Sequence, residues 1–220
     1  MLPIPMSKQD TIIILGTAHR MREPGKCSPD RRLKECVYSR EICKEVAEKL
    51  RSYGYKVEID YEPLDLPKAM QSSIVKQERN NELAMRVNYV NEVCRQKGAK
   101  NVLYVSMHVN AVGTDGKWHD ANGWQVNVGT KASESSKRLA NCLFDAAKHS
   151  GLRMRQPAIN QKYWPQNLYV LNNTKCPAVL TENLFQDNKK DVDYLLSDAG
   201  RDAIVKLHVE GIVNYVNVFS

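Results

Sequence analysis

Six short apolar runs punctuate the chain, and each predicts a strand. Thr11 to Leu15, Val102 to Val105 and Pro177 to Thr181 are nearly continuous apolar stretches rich in β-branched residues. That pattern belongs to strands of a sheet covered on both faces, with Val102 to Val105 at its centre. Tyr55 to Tyr61 and Trp124 to Val128 alternate instead, the second in the manner of an edge strand, and Asn167 to Leu171 is a short sixth candidate. Between these runs the apolar period lengthens to that of helices. Val37, Ile42, Val46 and Leu50 share one face of a helix from Leu33 to Tyr53. Leu83, Val87, Val90 and Cys94 do so from Lys76 to Lys97, and Leu139, Leu143 and Ala147 from Ala132 to Ser150. Gly54, Gly98 and Gly151 supply the stops. A short helix over Asn188 to Leu196 and a long one over Ala199 to Phe219 close the chain. The first strand–helix–strand order implies a parallel crossover. Neither an internal repeat nor a linker marks a second domain.

The polar chemistry collects where these elements end. His19 follows the first strand, His108 the central one, and Glu182 the run that begins at Pro177; Glu35 opens the first helix. Ligands in open α/β sheets gather at the carboxyl ends of strands. Two imidazoles and a carboxylate are the usual ligands of a hydrolytic zinc site, and a further carboxylate is needed to move protons. Scattered histidines and glutamates are also compatible with hydrogen-bonded core positions, so spacing alone leaves both alternatives open. His119 lies in a polar, glycine-rich loop, His149 at a helix C-terminus where a cation is favoured, and His208 inside the last helix. Glu41, Glu45 and Glu48, interspersed with Lys44 and Lys49, read as a solvated face.

Composition narrows the partners. With 220 residues, 42% of them hydrophobic and 26% charged, the chain can bury a sizeable core and is not of the disordered class. A net charge of +7 points to a polyanion: nucleic acid, an anionic membrane surface or an anionic cell-wall polymer. Cys27, Cys36, Cys43, Cys94, Cys142 and Cys176 contain no C-x-x-C pair, which excludes a zinc ribbon and favours free thiols in a reducing compartment. Met1 to Met6 is too short and proline-rich for a signal-peptide core, and no run approaches the ~20 apolar residues of a membrane span. A soluble, cytoplasmic chain is expected.

A series of motifs runs in order along the chain: Gly16-Thr-Ala-His19, Pro24-Gly-Lys-Cys-Ser-Pro-Asp30, Glu35 at the start of a long helix, Gly54-Tyr-Lys-Val57, Arg86-Val-Asn-Tyr-Val-Asn91, Ser106-Met-His-Val-Asn-Ala111 and Pro177-Ala-Val-Leu-Thr-Glu-Asn-Leu-Phe185, with Asn188 and Asp191 downstream. From Thr11 to about Tyr215 the chain thereby resembles the zinc-dependent N-acetylmuramoyl-L-alanine amidases of cell-wall remodelling and phage lysis. The chain departs from that pattern at Ala18 and Arg20, which replace glycines around the first histidine, and at Ser39, where asparagine is frequent. An Arg20 guanidinium has to point away from any dication held by His19. Glu41 is a rival to Glu35 but lies six residues on, off its helical face.

The resemblance implies an α/β fold: a single twisted, mostly parallel sheet flanked by helices on both faces. Residues 1–10 would form an N-terminal extension and 11–220 the catalytic domain. It implies Zn²⁺ on His19, Glu35 and His108, with a zinc-activated water cleaving the amide between N-acetylmuramic acid and the L-alanine of the stem peptide. Glu182 would act as general base and then general acid. Peptidoglycan is the expected substrate, anionic wall polymers are further expected contacts, and no nucleic acid or membrane span is expected. The implied route is that of a phage or prophage lysin held in the cytoplasm until release, or of a secreted enzyme whose leader has been removed. Two alternatives remain: another zinc amidohydrolase or carboxypeptidase on the same scaffold, and a non-catalytic basic binder. The chain lacks the aromatic stacking motifs that a nucleic-acid binder would carry.

Overall fold

The computed structural model describes residues 8–219, so Met1–Ser7 of the expected N-terminal extension, and Ser220, lie outside the described residues. Six strands form one sheet in the order β2-β1-β3-β6-β4-β5. The strands are β1 (Ile12–Thr17), β2 (Lys56–Ile59), β3 (Val102–Asn110), β4 (Gln125–Gly129), β5 (Trp164–Gln166) and β6 (Ala178–Phe185). The first four in that order are mutually parallel; β4 runs antiparallel to β6 and parallel to β5.

Continuous apolar runs become strands here because both sheet faces are covered. Alternate residues of β1 and β3 part to opposite sides. Leu15, Leu103 and Val105 pack against α1 (Glu35–Ser52), α3 (Glu134–His149) and α6 (Asp198–Phe219). Ile14 and Tyr104 pack against α2 (Val75–Lys97) and α4 (Tyr169–Asn173). A seven-residue helix, α5 (Lys189–Leu195), is capped by Asn188, whose side chain accepts the Asp191 N–H. Close approach of α6 to α3 depends on Gly211: a Cβ there would stand 2.7 Å from the Leu143 side chain and 2.8 Å from its Cα.

Three expectations need correction. Trp124 to Val128 is not an edge: β4 is interior because β5 pairs alongside it, through Asn127 and Trp164. That edge is only three residues long and contains Pro165, which an edge tolerates but which hides the pattern. Asn167 to Leu171 is not a strand; the N–H groups of Leu171 and Asn172 both bond back to Leu168 O and open α4. The central strand and the Pro177 strand both run further than their apolar cores, so His108 and Glu182 stand within strands rather than beyond them.

Candidate active site

Four of the sequence-selected residues converge at the carboxyl end of the parallel strands. His19 sits in the turn after β1 with φ of 43°, a left-handed conformation that costs a non-glycine residue on the order of 1–3 kcal/mol. Two side chains of α1 brace that turn. Ala18 N–H donates to Ser39 Oγ at 2.8 Å, and Arg40 Nη1 donates to Ala18 O at 2.9 Å. Glu35 is the first residue of α1, where the helix dipole favours an anion. The loop before it is closed by the Cys27–Lys34 bridge and by Glu35 N–H donating to Lys26 O.

The Glu35 carboxylate, 1% exposed, reaches between the two histidines. Its Oε1 accepts the Val109 N–H at 3.1 Å and lies 3.0 Å from His108 Nδ1. Its Oε2 lies 3.3 Å from His19 Nε2 and 3.8 Å from Lys26 Nζ, and takes no well-formed hydrogen bond. Burial opposes the charge on Glu35, but the charge of His19 and the hydrogen bond from His108 outweigh it and hold the carboxyl well below its ordinary range. The two imidazoles meet edge to face with centroids 5.0 Å apart. Nitrogen and oxygen donors of His19, Glu35 and His108 all lie within 4.8 Å of one another. A buried carboxylate oxygen lacking a hydrogen bond, beside two imidazoles, fits a divalent ion with nitrogen and oxygen preferences such as Zn²⁺.

Glu182 stands opposite His108 in the β3–β6 register. Just beyond, the ladder slips: His108 pairs with Glu182 but Asn110 with Phe185, and Leu184 takes up the extra residue at φ of 65°. Asn183 secures the bulge from the opposite face. It accepts from Trp124 Nε1 at 2.8 Å and donates to His108 O at 3.0 Å. Glu182 Oε2 is buried without a hydrogen-bond partner. Burial, then repulsion by Glu35, push this carboxyl up to about 8. A cavity of about 240 Å³ opens over these groups, walled by Lys26, Arg79, Leu83 and Tyr169.

The other candidates lie elsewhere. Glu41 is exposed and paired with Arg201 at 2.8 Å. His119 pairs with Asp115 at 2.9 Å in its loop and is not among the clustered donors. His208 is fully buried, with Nε2 2.9 Å from Thr181 Oγ1 and Nδ1 donating to Ile204 O. Arg20 turns into a buried acidic group, meeting Glu23, Glu78 at 3.2 Å and Glu82 at 3.4 Å. Lys26 and Asn183 have no assigned role in the sequence, and Ser39 stands out there only as a departure from the family pattern; a lone serine inside a helix and a polar residue inside a strand carry no local signal of what they touch.

The sequence profile of the N-acetylmuramoyl-L-alanine amidase family matches residues 13–214. The chain belongs to that family. The sequence is 31% identical over 125 residues to an endolysin of Bacillus phage SPP1, covering 56% of this chain and 44% of the endolysin, so the match spans less than half of that relative. The fold is similar to that of the CwlD amidase of Clostridioides difficile, solved in complex with the GerS lipoprotein (23% identity, TM-score 0.74, 94% of this chain and 99% of that one). It is similar also to an N-acetylmuramoyl-L-alanine amidase from Clostridium difficile 630 (19% identity, TM-score 0.76, 97% and 100%). Among the described residues no helix is long and apolar enough to cross a membrane.

Proposed function

We propose that this amidase-family chain hydrolyses the amide between the lactyl group of N-acetylmuramic acid and L-alanine of the peptidoglycan stem, with His19, Glu35 and His108 holding Zn²⁺ and Glu182 moving the proton. The observation that carries this is the register of β3 and β6. It sets Glu182, whose Oε2 is buried without a hydrogen-bond partner, beside a cluster of two imidazoles and one carboxylate. When bound, such an ion would supply Lewis-acid polarisation of the scissile carbonyl and of water, and a cation there would favour the ionised form of Glu182, whose carboxyl is otherwise pushed up to about 8.

Glu182 then takes a proton from the water as its oxygen bonds to the carbonyl carbon and delivers that proton to the L-alanine nitrogen as the C–N bond breaks; the water's second proton leaves the new lactyl acid for the amine, giving a carboxylate and an ammonium group. Glu35 is held rigid by Val109 N–H and by its place at a helix start, which suits a ligand and not a proton carrier. Lys26 and Arg79, the latter paired with Glu23, bring cationic groups to the cavity wall, which suits a substrate that carries carboxylates. The phage endolysin relative supports a lysin-type role at the cell wall, reached by release from the cytoplasm or by secretion after loss of a leader. Anionic wall polymers are the proposed further contacts of a chain with net charge +7. Residues 11–220 are proposed as the catalytic domain.

Incubation with purified muropeptides, followed by mass spectrometry, tests this. Release of the intact stem peptide with a free L-alanine amine, abolished by chelation, is expected. Loss of a C-terminal stem residue instead would make the chain a carboxypeptidase.

A further inference from the structure

His108 lies on β3 and His19 in the turn after β1, and the sheet does not by itself fix their separation. The β1–β3 ladder ends at the pair Thr17 and Met107. Beyond it the chain leaves β1, and Ala18 and His19 have no ladder partner on β3, while β3 continues through His108. The gap is bridged by one hydroxyl. Ser39, 2% exposed, lies one helical turn past Glu35 on the same face of α1. Its Oγ donates to Met107 O at 2.6 Å and accepts from Ala18 N–H at 2.8 Å. A hydroxyl has one proton and two acceptor sites, so it can hold both bonds at once. Met107 immediately precedes His108, and Ala18 immediately precedes His19.

We propose that Ser39 is a positioning residue that sets the His19–His108 distance, a role that rests on the metal-site assignment above. It extends the ladder by one rung at the point where the sheet stops providing one. It also ties both histidine-bearing segments to the helix that carries Glu35, so three groups from three elements share one reference point. Bracing is required here because His19 occupies a left-handed conformation that a freed turn would leave. Removing the hydroxyl strands a buried N–H and a buried carbonyl together, and movement of the Ala18–His19 turn is the direct way to rehydrate them.

The test uses the full chain and reads metal binding, not only turnover. Zinc affinity is measured by competition with a chromophoric chelator, and the visible spectrum of the Co²⁺-substituted protein reports ligand geometry. Ser39→Ala is expected to lower zinc affinity by roughly 10–100-fold, the usual effect of a residue that orients a ligand, and to change the cobalt bands. Val46→Ala, in the core-facing middle of the same helix, is the control for a purely structural loss: its unfolding midpoint falls while affinity and spectrum stay as in the wild type. Ser39→Thr keeps the hydroxyl and should hold affinity within about threefold of wild type, whereas Ser39→Val, of equal volume without it, should behave as the alanine variant. That pair decides the matter if Ser39→Ala does not fold. Wild-type affinity and spectrum in Ser39→Ala or Ser39→Val would overturn the proposal alone. Equal metal uptake by the wild type and His108→Ala would remove the site assignment, and the proposal with it.

Discussion

Glu35 is buried and Glu182 is half-buried with one buried carboxylate oxygen, within the same small site, and their surroundings divide the work between them. Glu35 is held by a backbone N–H and two imidazoles, whereas Glu182 keeps an oxygen with no hydrogen-bond partner. Glu182→Gln keeps the size of the side chain and removes the proton acceptor. It should retain zinc while turnover falls by roughly 10²–10⁴, read by parallel metal analysis and muropeptide hydrolysis. Loss of zinc along with activity would make Glu182 a ligand. Glu35→Gln should weaken zinc binding sharply, because an amide is a poorer ligand than a carboxylate. Glu41→Gln, which disturbs only an exposed pair with Arg201, should leave stability within about 0.5 kcal/mol and zinc binding unchanged. The reverse ranking would transfer the role along the helix.

At the scale of elements, α2 is anchored by charge. Arg86 is 3% exposed and donates to Asp60 at 2.6 Å, just past β2, and to Glu82 at 3.0 Å within its own helix. Asp60 also accepts the Thr17 N–H and the Tyr104 hydroxyl, so the network locks α2 to the end of β1 and to a side chain within β3, and keeps Leu83 and Arg79 over the cavity. Arg86→Met would leave Asp60 buried without its cation and Glu82 with Arg20 alone, at 3.4 Å, and urea unfolding should show a loss of about 3–5 kcal/mol. Lys189→Met, which breaks an exposed pair with Asp193, should cost less than about 1 kcal/mol. The network also explains what could be read from the sequence and what could not. Hydrophobic period locates elements that face the core, so β1, β3, β6 and the long helices were legible, and with them the convergence of His19, His108 and Glu182. Glu35 stood out only by opening a helix and through the family resemblance. Long-range polar contacts leave no period: Arg86 to Asp60, Ser39 to Ala18, and the bulge at Leu184, where leucine gives no hint of a positive φ. The three-residue β5 and the short α4 lie below the length at which either period can be recognised.

For the molecule as a whole, acid sensitivity should have one identifiable source in the packing of α6 on the sheet. His208 is fully buried there, and desolvation pushes its imidazole down from 6.5 to about 4, against the opposing hydrogen bond to Ile204 O. The folded state therefore resists protonation that the unfolded state accepts. Its contribution is complete above pH 6.5 and is lost as pH falls toward 4, by roughly 3 kcal/mol across that window. In His208→Gln the fall in unfolding free energy between pH 6.5 and 4 should be shallower by that amount; an unchanged slope would place the sensitivity elsewhere. The central claim is that His19, Glu35 and His108 together hold one catalytic zinc. Elemental analysis of dialysed wild-type, His19→Ala and His108→Ala proteins, with muropeptide turnover on the same preparations, tests it most directly. One zinc per wild-type chain is expected, with metal and activity lost together in both variants; stoichiometric zinc and full turnover in either variant would contradict the account.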